Sequence, residues 1–260
     1  MMHPVAKPAC AAEILALRTR HREEMNFQIV HDSIHRRDGW TLSYLLEEQG
    51  VPAGFGSVAI GGPWKDKPTV FEFYLLPEYR ARAFEFFEVL LKAGRPAFFE
   101  IQTNEELALC MILNYGREMS SEKIVFQDKL TTTLEVEGAS LRPLTAEDEV
   151  RVCLEQRQGG GQWVIDLNGT EAGKGGILFH YNRPYGDIYM EIAEAYRRRG
   201  LGSYLVQELK RECYRLGAVP CARCNPSNVA SRRTLQRAGF VPVAHILIGS
   251  VDLQRLEVPV

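Results

Sequence analysis

Residues 191–210 read EIAEAYRRRGLGSYLVQELK: the end of a strand-like pattern, three consecutive arginines, a Gly-Leu-Gly turn, and then the apolar face of a helix. Glycines let backbone N–H groups turn toward a bound anion, and a helix start adds unpaired donors and the positive end of its dipole. Arginines add bidentate charge, so the combination suits a pyrophosphate better than a single carboxylate. Arg197, Arg198, Arg199, Gly200, Leu201, Gly202 and Ser203 are the candidate anion-binding residues. The Gly-Lys-Ser/Thr ending of a P-loop is absent, and so is the third glycine that a dinucleotide fingerprint needs.

Upstream of this stretch, GQWVIDLNGTEAGKGGILFHYN alternates around an Asn-Gly turn at 168 and 169, which predicts a hairpin, and GDIYMEIAEAY predicts a further strand. Downstream, Leu201, Leu205, Val206, Leu209 and Leu216 share broadly one helical face, which Gly217 ends. AVPCARCNP is a short strand, SNVASRRTLQRAGF a capped helix closed by Gly239, and VPVAHILIGSVDL supplies the last strands. The seam TTTLEVEGASLRPLTAEDEV (131–150) leads into this half with a strand and then a helix, with Thr145 as cap and Glu147 and Asp148 in its first turn. The first half repeats the order: a hairpin over GWTLSYLLEEQGVPAGFGSVAIGG, a strand over TVFEFYLLPEYR, a helix over ARAFEFFEVLLKAG, a strand over PAFFEIQT and a capped helix over NEELALCMILNYG. LLPEYR (75–80) aligns with IAEAYR (192–197), which predicts a duplicated unit divided as 1–136 and 137–260. The fold class is α/β (α+β), each half a mixed twisted sheet flanked by helices.

The chain has 260 residues, enough for two domains, with a net charge of -2, 45% hydrophobic and 25% charged residues. That near-neutral balance argues against a nucleic-acid partner, which would need a surplus of Lys and Arg on one face. No window approaches the roughly 20 apolar residues of a membrane span, and the first residues do not read as a signal peptide. The expectation is a cytoplasmic protein with no membrane partner. The six cysteines (Cys10, Cys110, Cys153, Cys213, Cys221, Cys224) lack framework spacing, and Cys221 and Cys224 form a CxxC with no second half-site. They read as strand-end thiols, with no metal site.

The loop resembles the pyrophosphate loop of the GCN5-related N-acetyltransferases (GNAT), Gln/Arg-x-x-Gly-x-Gly/Ala, with Arg197, Gly200 and Gly202 in place. LRPLTAED resembles the family's opening strand and helix, and NPSNVASRRTLQRAGF its late motif, so the resemblance covers about 140 to 250. It implies a sheet splayed between its fourth and fifth strands with acetyl-CoA, or another acyl-CoA, in the cleft. Carried over by position, the backbone of Met190, Glu191 and Ile192 would meet the pantetheine arm, Arg198 to Ser203 the pyrophosphate, and Asn228 the pantetheine, with Asn225 a weaker candidate. Asn228 also reads as an ordinary N-cap.

The chemistry implied is N-acetyl transfer: an amine of a small molecule or peptide attacks the thioester directly. Glu191 is the best-placed base on the fourth strand if burial raises its pKa. Asp187 and Tyr189 share its strand face and are rivals. The late-helix tyrosine that serves many members as acid is replaced by Leu235, so Tyr189, Ser231 or water would substitute. That departure leaves open a catalytically silent acyl-CoA sensor. In the first half Ala83 and Glu85 stand where Gly200 and Gly202 stand, which predicts a degenerate, non-catalytic domain. Trp40, Trp64, Phe71, Phe73 and Tyr74 read as core, with an acceptor cleft as the alternative. His180 reads as structural, with an acceptor-facing role as the alternative. A homodimer is compatible with all of this.

Overall fold

The computed structural model describes residues 3–145 and 162–257. The helix expected to start at Thr145, with Glu147 and Asp148, falls beyond the described residues, as does Cys153. Two compact units emerge, Met1–Glu122 with Ala244–Val260, and Lys123–Val243.

The first unit contains β1 (Val5–Ala9), α1 (Leu15–Met25), β2 (Thr41–Glu48), β3 (Val51–Ala59), β4 (Thr69–Leu75), α2 (Ala83–Gly94), β5 (Phe98–Gln102) and α3 (Glu106–Tyr115). β6 (Gly116–Asp128) then carries the chain into the second unit, which holds β7 (Ala139–Pro143), β8 (Gln162–Leu167), β9 (Thr170–Leu178), β10 (Tyr185–Ile192), α4 (Leu201–Arg215), β11 (Val219–Cys224) and α5 (Val229–Arg237). β12 (Phe240–Val251) returns it to the first. Within the units the strand orders are β1-β2-β3-β4-β5-β12 and β6-β11-β10-β9-β8-β7.

The single boundary expected after residue 136 is therefore replaced by two crossings, and strand pairing is the cause. Residues 124–127 of β6 pair antiparallel with 221–224 of β11, and residues 246–250 of β12 pair with 98–102 of β5. Residues 129–138 carry no strand, and the strand expected within the seam is β7.

The duplication read from the sequence pattern extends to local geometry. Gln49 and Gly50 (φ 55° and 78°) turn β2 into β3, and Asn168 and Gly169 (φ 51° and 77°) turn β8 into β9. Two successive positive φ values mark the type I′ turn, whose twist suits a hairpin. Each hairpin shifts register once, between Leu46 and Glu47 and between Ile165 and Asp166. A basic residue on the neighbouring strand pairs with the carboxylate after each shift, Lys7 with Glu47 and Arg142 with Asp166.

The core of the second unit forms where α4 packs on the sheet. Leu205, Val206 and Leu209 are fully buried, among Ile165, Ile177, Phe126 and Phe240. Truncating one such leucine to alanine costs about 2–5 kcal/mol. Leu216, expected on the same face, lies past the last turn and is exposed, because the helix ends at Arg215. Two further local expectations are corrected: α3 has no side-chain cap, and the last segment forms one long strand, Phe240–Val251. No helix among the described residues is long and apolar enough to cross a membrane.

Candidate active site

β10 and β11 run parallel for three registered pairs, the last being Asp187 with Cys221. β9 stays paired with β10 to Ile192, so from Ile188 onward only the β11 side of β10 is left without a registered partner. Ala193 N donates to Ala172 O at 3.0 Å, which sets the alternation. Backbone groups of Glu191 and Tyr189 face β9, and those of Met190 and Ile192 face the splay. An extended ligand could add there as a partial strand.

The loop after β10 supplies the second element. Arg198 (φ 63°) and Gly200 (φ 83°) both adopt the left-handed conformation and bracket Arg199, the alternation that turns successive N–H groups toward an anion. α4 starts at Leu201 with no side-chain cap, so its first donors are not taken by a cap. A Cβ on Gly200 would meet only Val136, at 3.6 Å, so glycine serves conformation there. Gly202 is also constrained by packing, since a Cβ there would lie 3.3 Å from Thr234 and 3.6 Å from Ile192. It allows the close approach of α4 to α5 and β10.

The candidate side chains divide by what already engages them. Arg197 Nε donates to Ile192 O at 3.1 Å, which ties the loop back to the strand. Arg198 and Arg199 are exposed, and Arg199 lies over the Tyr196 ring. Leu201 is buried and offers only backbone, while Ser203 Oγ donates to Thr234 O at 3.2 Å. Asn228 is the N-cap of α5, its Oδ1 accepting from Ser231 N at 3.0 Å, which leaves only its amide group for a ligand. Asn225 Oδ1 accepts from Lys123 Nζ at 2.5 Å. Leu235 is buried in the core.

On the strand, Glu191 is exposed and lacks the burial that the base reading called for. Tyr189 is half-buried, its ring lying across Gly176, where a Cβ would sit 2.6 Å from the hydroxyl. Burial pushes its phenol up, so it stays protonated at neutral pH. At the apex of the splay, Asp187 is buried with His180 Nε2 at 2.9 Å and Arg223 Nε at 3.5 Å. Tyr181 is buried beside them, and burial, with Asp187 next, raises its hydroxyl well above its ordinary value. His180 reaches Asp187 because Leu178 pairs with Asp187 across β9 and β10. Cys221 and Cys224 are buried free thiols, and burial pushes both up.

The comparisons agree with this geometry. A family model described as "Acetyltransferase (GNAT) family" matches residues 128–240. The fold is similar to an "Acetyltransferase from GNAT family from Colwellia psychrerythraea", with a TM-score of 0.74 at 13% identity, covering 95% of this chain and 99% of that one. It is also similar to a tandem GNAT protein from the clavulanic acid biosynthesis pathway, with a TM-score of 0.63 at 13% identity over 96% and 99% of the two chains. A GCN5-related N-acetyltransferase from Sphaerobacter thermophilus aligns with a TM-score of 0.61 at 16% identity over 96% of each chain. No curated protein matches. The GNAT reaction is acyl transfer from acyl-CoA, generally acetyl-CoA, and the open strand edge, left-handed loop and uncapped helix start fit such a group. Residues 128–240, with the splayed sheet and the arginine loop, thus match the acetyltransferase (GNAT) family model.

Proposed function

We propose that the chain is an acetyl-CoA-dependent N-acetyltransferase whose cofactor is held by the second unit alone. The observation that carries the reading is the left-handed pair Arg198 and Gly200 between an open strand edge and an uncapped helix start. When bound, acetyl-CoA supplies a thioester-activated acetyl group for an amine of a small molecule or peptide. The N–H groups from Arg199 to Ser203 hold its pyrophosphate, with the exposed guanidiniums of Arg198 and Arg199 adding charge; Arg197 shapes the loop. Met190 and Ile192 present backbone groups to the pantetheine, and the Asn228 amide faces the same arm.

His180 is the better-supported proton acceptor for the incoming ammonium. Imidazole is suited to moving protons near neutral pH, and the Asp187 carboxylate lies against its Nε2. Glu191, at the exposed end of the same strand face, is the second candidate. Tyr189, whose phenol burial pushes up, is the candidate to return a proton from its hydroxyl to the leaving sulfur. The test is thiol release with a panel of primary amines. His180→Ala should lower kcat/KM by about 10²–10⁴ and shift the pH profile. Glu191→Gln should cost less, and the reverse order would move the base to Glu191. Binding of acetyl-CoA with no turnover on any amine would contradict the reading.

A further inference from the structure

The first unit contains a cavity of about 450 Å³ at the end of β4 and the start of α3, within the range of small-molecule sites. Its wall includes His21 and Glu24 from α1, Tyr74, Arg80, Asn104 and Glu105. His21 and Glu105 are more than nine-tenths buried. Three of these residues carry a buried polar atom without a hydrogen-bond partner: His21 Nδ1, Asn104 Nδ2 and Glu105 Oε2. Buried polar groups are rarely left unpaired, so three around one cavity point to a ligand.

The donor and acceptor pattern indicates its chemistry. Across the cavity Arg80 and Glu24 neutralise each other at 2.5 Å, and Tyr74 Oη donates to Glu24 at 3.0 Å. Among the described residues Glu105 has no such close cation. His21 Nε2 lies 4.0 Å away, and Glu72 on β4 is committed to His35 at 2.6 Å. With Nε2 protonated toward Glu105, His21 Nδ1 is an acceptor. The site then offers two acceptors, Glu105 Oε2 and His21 Nδ1, beside one donor, the Asn104 amide. A primary ammonium satisfies the first two and a neighbouring hydroxyl the third, while the stacked rings of His21 and Tyr74 flank the carbon skeleton.

We propose that this cavity binds a compact amino alcohol, its ammonium received by Glu105 and His21 and its hydroxyl by Asn104. The site is separate from the acetyl-CoA loop and does not depend on it. Burial, with Glu72 next, raises the Glu105 carboxyl well above its ordinary value, while burial lowers His21 to about 4.

The test is calorimetric titration of the full chain, without acetyl-CoA, using amino alcohols from ethanolamine to phenylethanolamine, with ethylene glycol and styrene glycol as neutral controls. The expected result is saturable binding of at least one amino alcohol, silent diols, and at least tenfold weaker binding in Glu105→Gln. Binding that Glu105→Gln leaves unchanged would place the amine elsewhere in the chain. An amine that binds no better than its diol would also overturn the proposal. The comparison of amine with diol uses wild-type protein, so it decides the matter even if the variant fails to fold.

Discussion

The two turns that follow β4 and β10 start identically and end differently. Arg80 Nε donates to Leu75 O at 3.0 Å, as Arg197 Nε does to Ile192 O, and Leu76 N reaches Ala53 O as Ala193 N reaches Ala172 O. Beyond that point the first unit runs a 3-10 turn, residues Pro77–Arg82, straight into α2. Arg82, the counterpart of Arg199, is occupied by Glu85 and Glu48. In the second unit Arg198 and Gly200 open the loop, and Arg199 is exposed. The same scaffold thus makes an anion-receiving turn or a closed one, according to whether the backbone goes left-handed and whether a carboxylate takes the arginine. The first unit has instead gathered buried titratable groups around a cavity.

That contrast can be sharpened from either side. The largest effect is expected in the first unit. Burial holds His21 at about 4, below its ordinary value near 6.5. As pH falls from 6.5 to 4 the unfolded chain gains a proton that the folded one refuses, so stability drops by up to about 3 kcal/mol. The raised Glu105 carboxyl works in the opposite sense over this range, because the folded state retains its proton. The His21 contribution is therefore the difference between wild type and His21→Phe in urea unfolding followed by tryptophan fluorescence. Identical pH slopes would remove His21 from the account.

Next comes the loop. Gly200→Val forces a β-branched residue to positive φ, at about 1–3 kcal/mol, and turns the loop donors away. Acetyl-CoA affinity should fall by up to about a hundredfold, whereas Ala83→Gly with Glu85→Gly should create no binding in the first unit. The smallest effect tests the shared feature. Arg80→Ala and Arg197→Ala each remove one hydrogen bond to a strand-end carbonyl and should cost about 1 kcal/mol in thermal unfolding. A much larger loss in one unit would mean that the two turns are not equivalent.

Most of the fold was legible because it rests on short-range signals. Asn168-Gly169 gave a hairpin, Gly217 and Gly239 gave helix ends, and the paired LLPEYR and IAEAYR gave the repeat. What could not be read was non-local. Nothing in the local pattern of β6 or β12 says that their partners are β11 and β5, so the boundary was placed once instead of twice. In the site, the arginine loop was legible because backbone donors and glycines are adjacent in the chain. The division of labour within it was not, since Arg197 turns back to Ile192 and Gly202 faces Thr234. His180 and Asp187 meet only through strand register, and Glu105 is buried by segments far from it in sequence.

The central claim is that one of two related units holds the cofactor. Titrating the full chain with acetyl-CoA by calorimetry tests it most directly. One molecule should bind per chain in the wild type, also in the variant carrying Ala83→Gly and Glu85→Gly, and binding should weaken by up to about a hundredfold in Gly200→Val. Two molecules per chain, or binding that survives Gly200→Val undiminished, would contradict it.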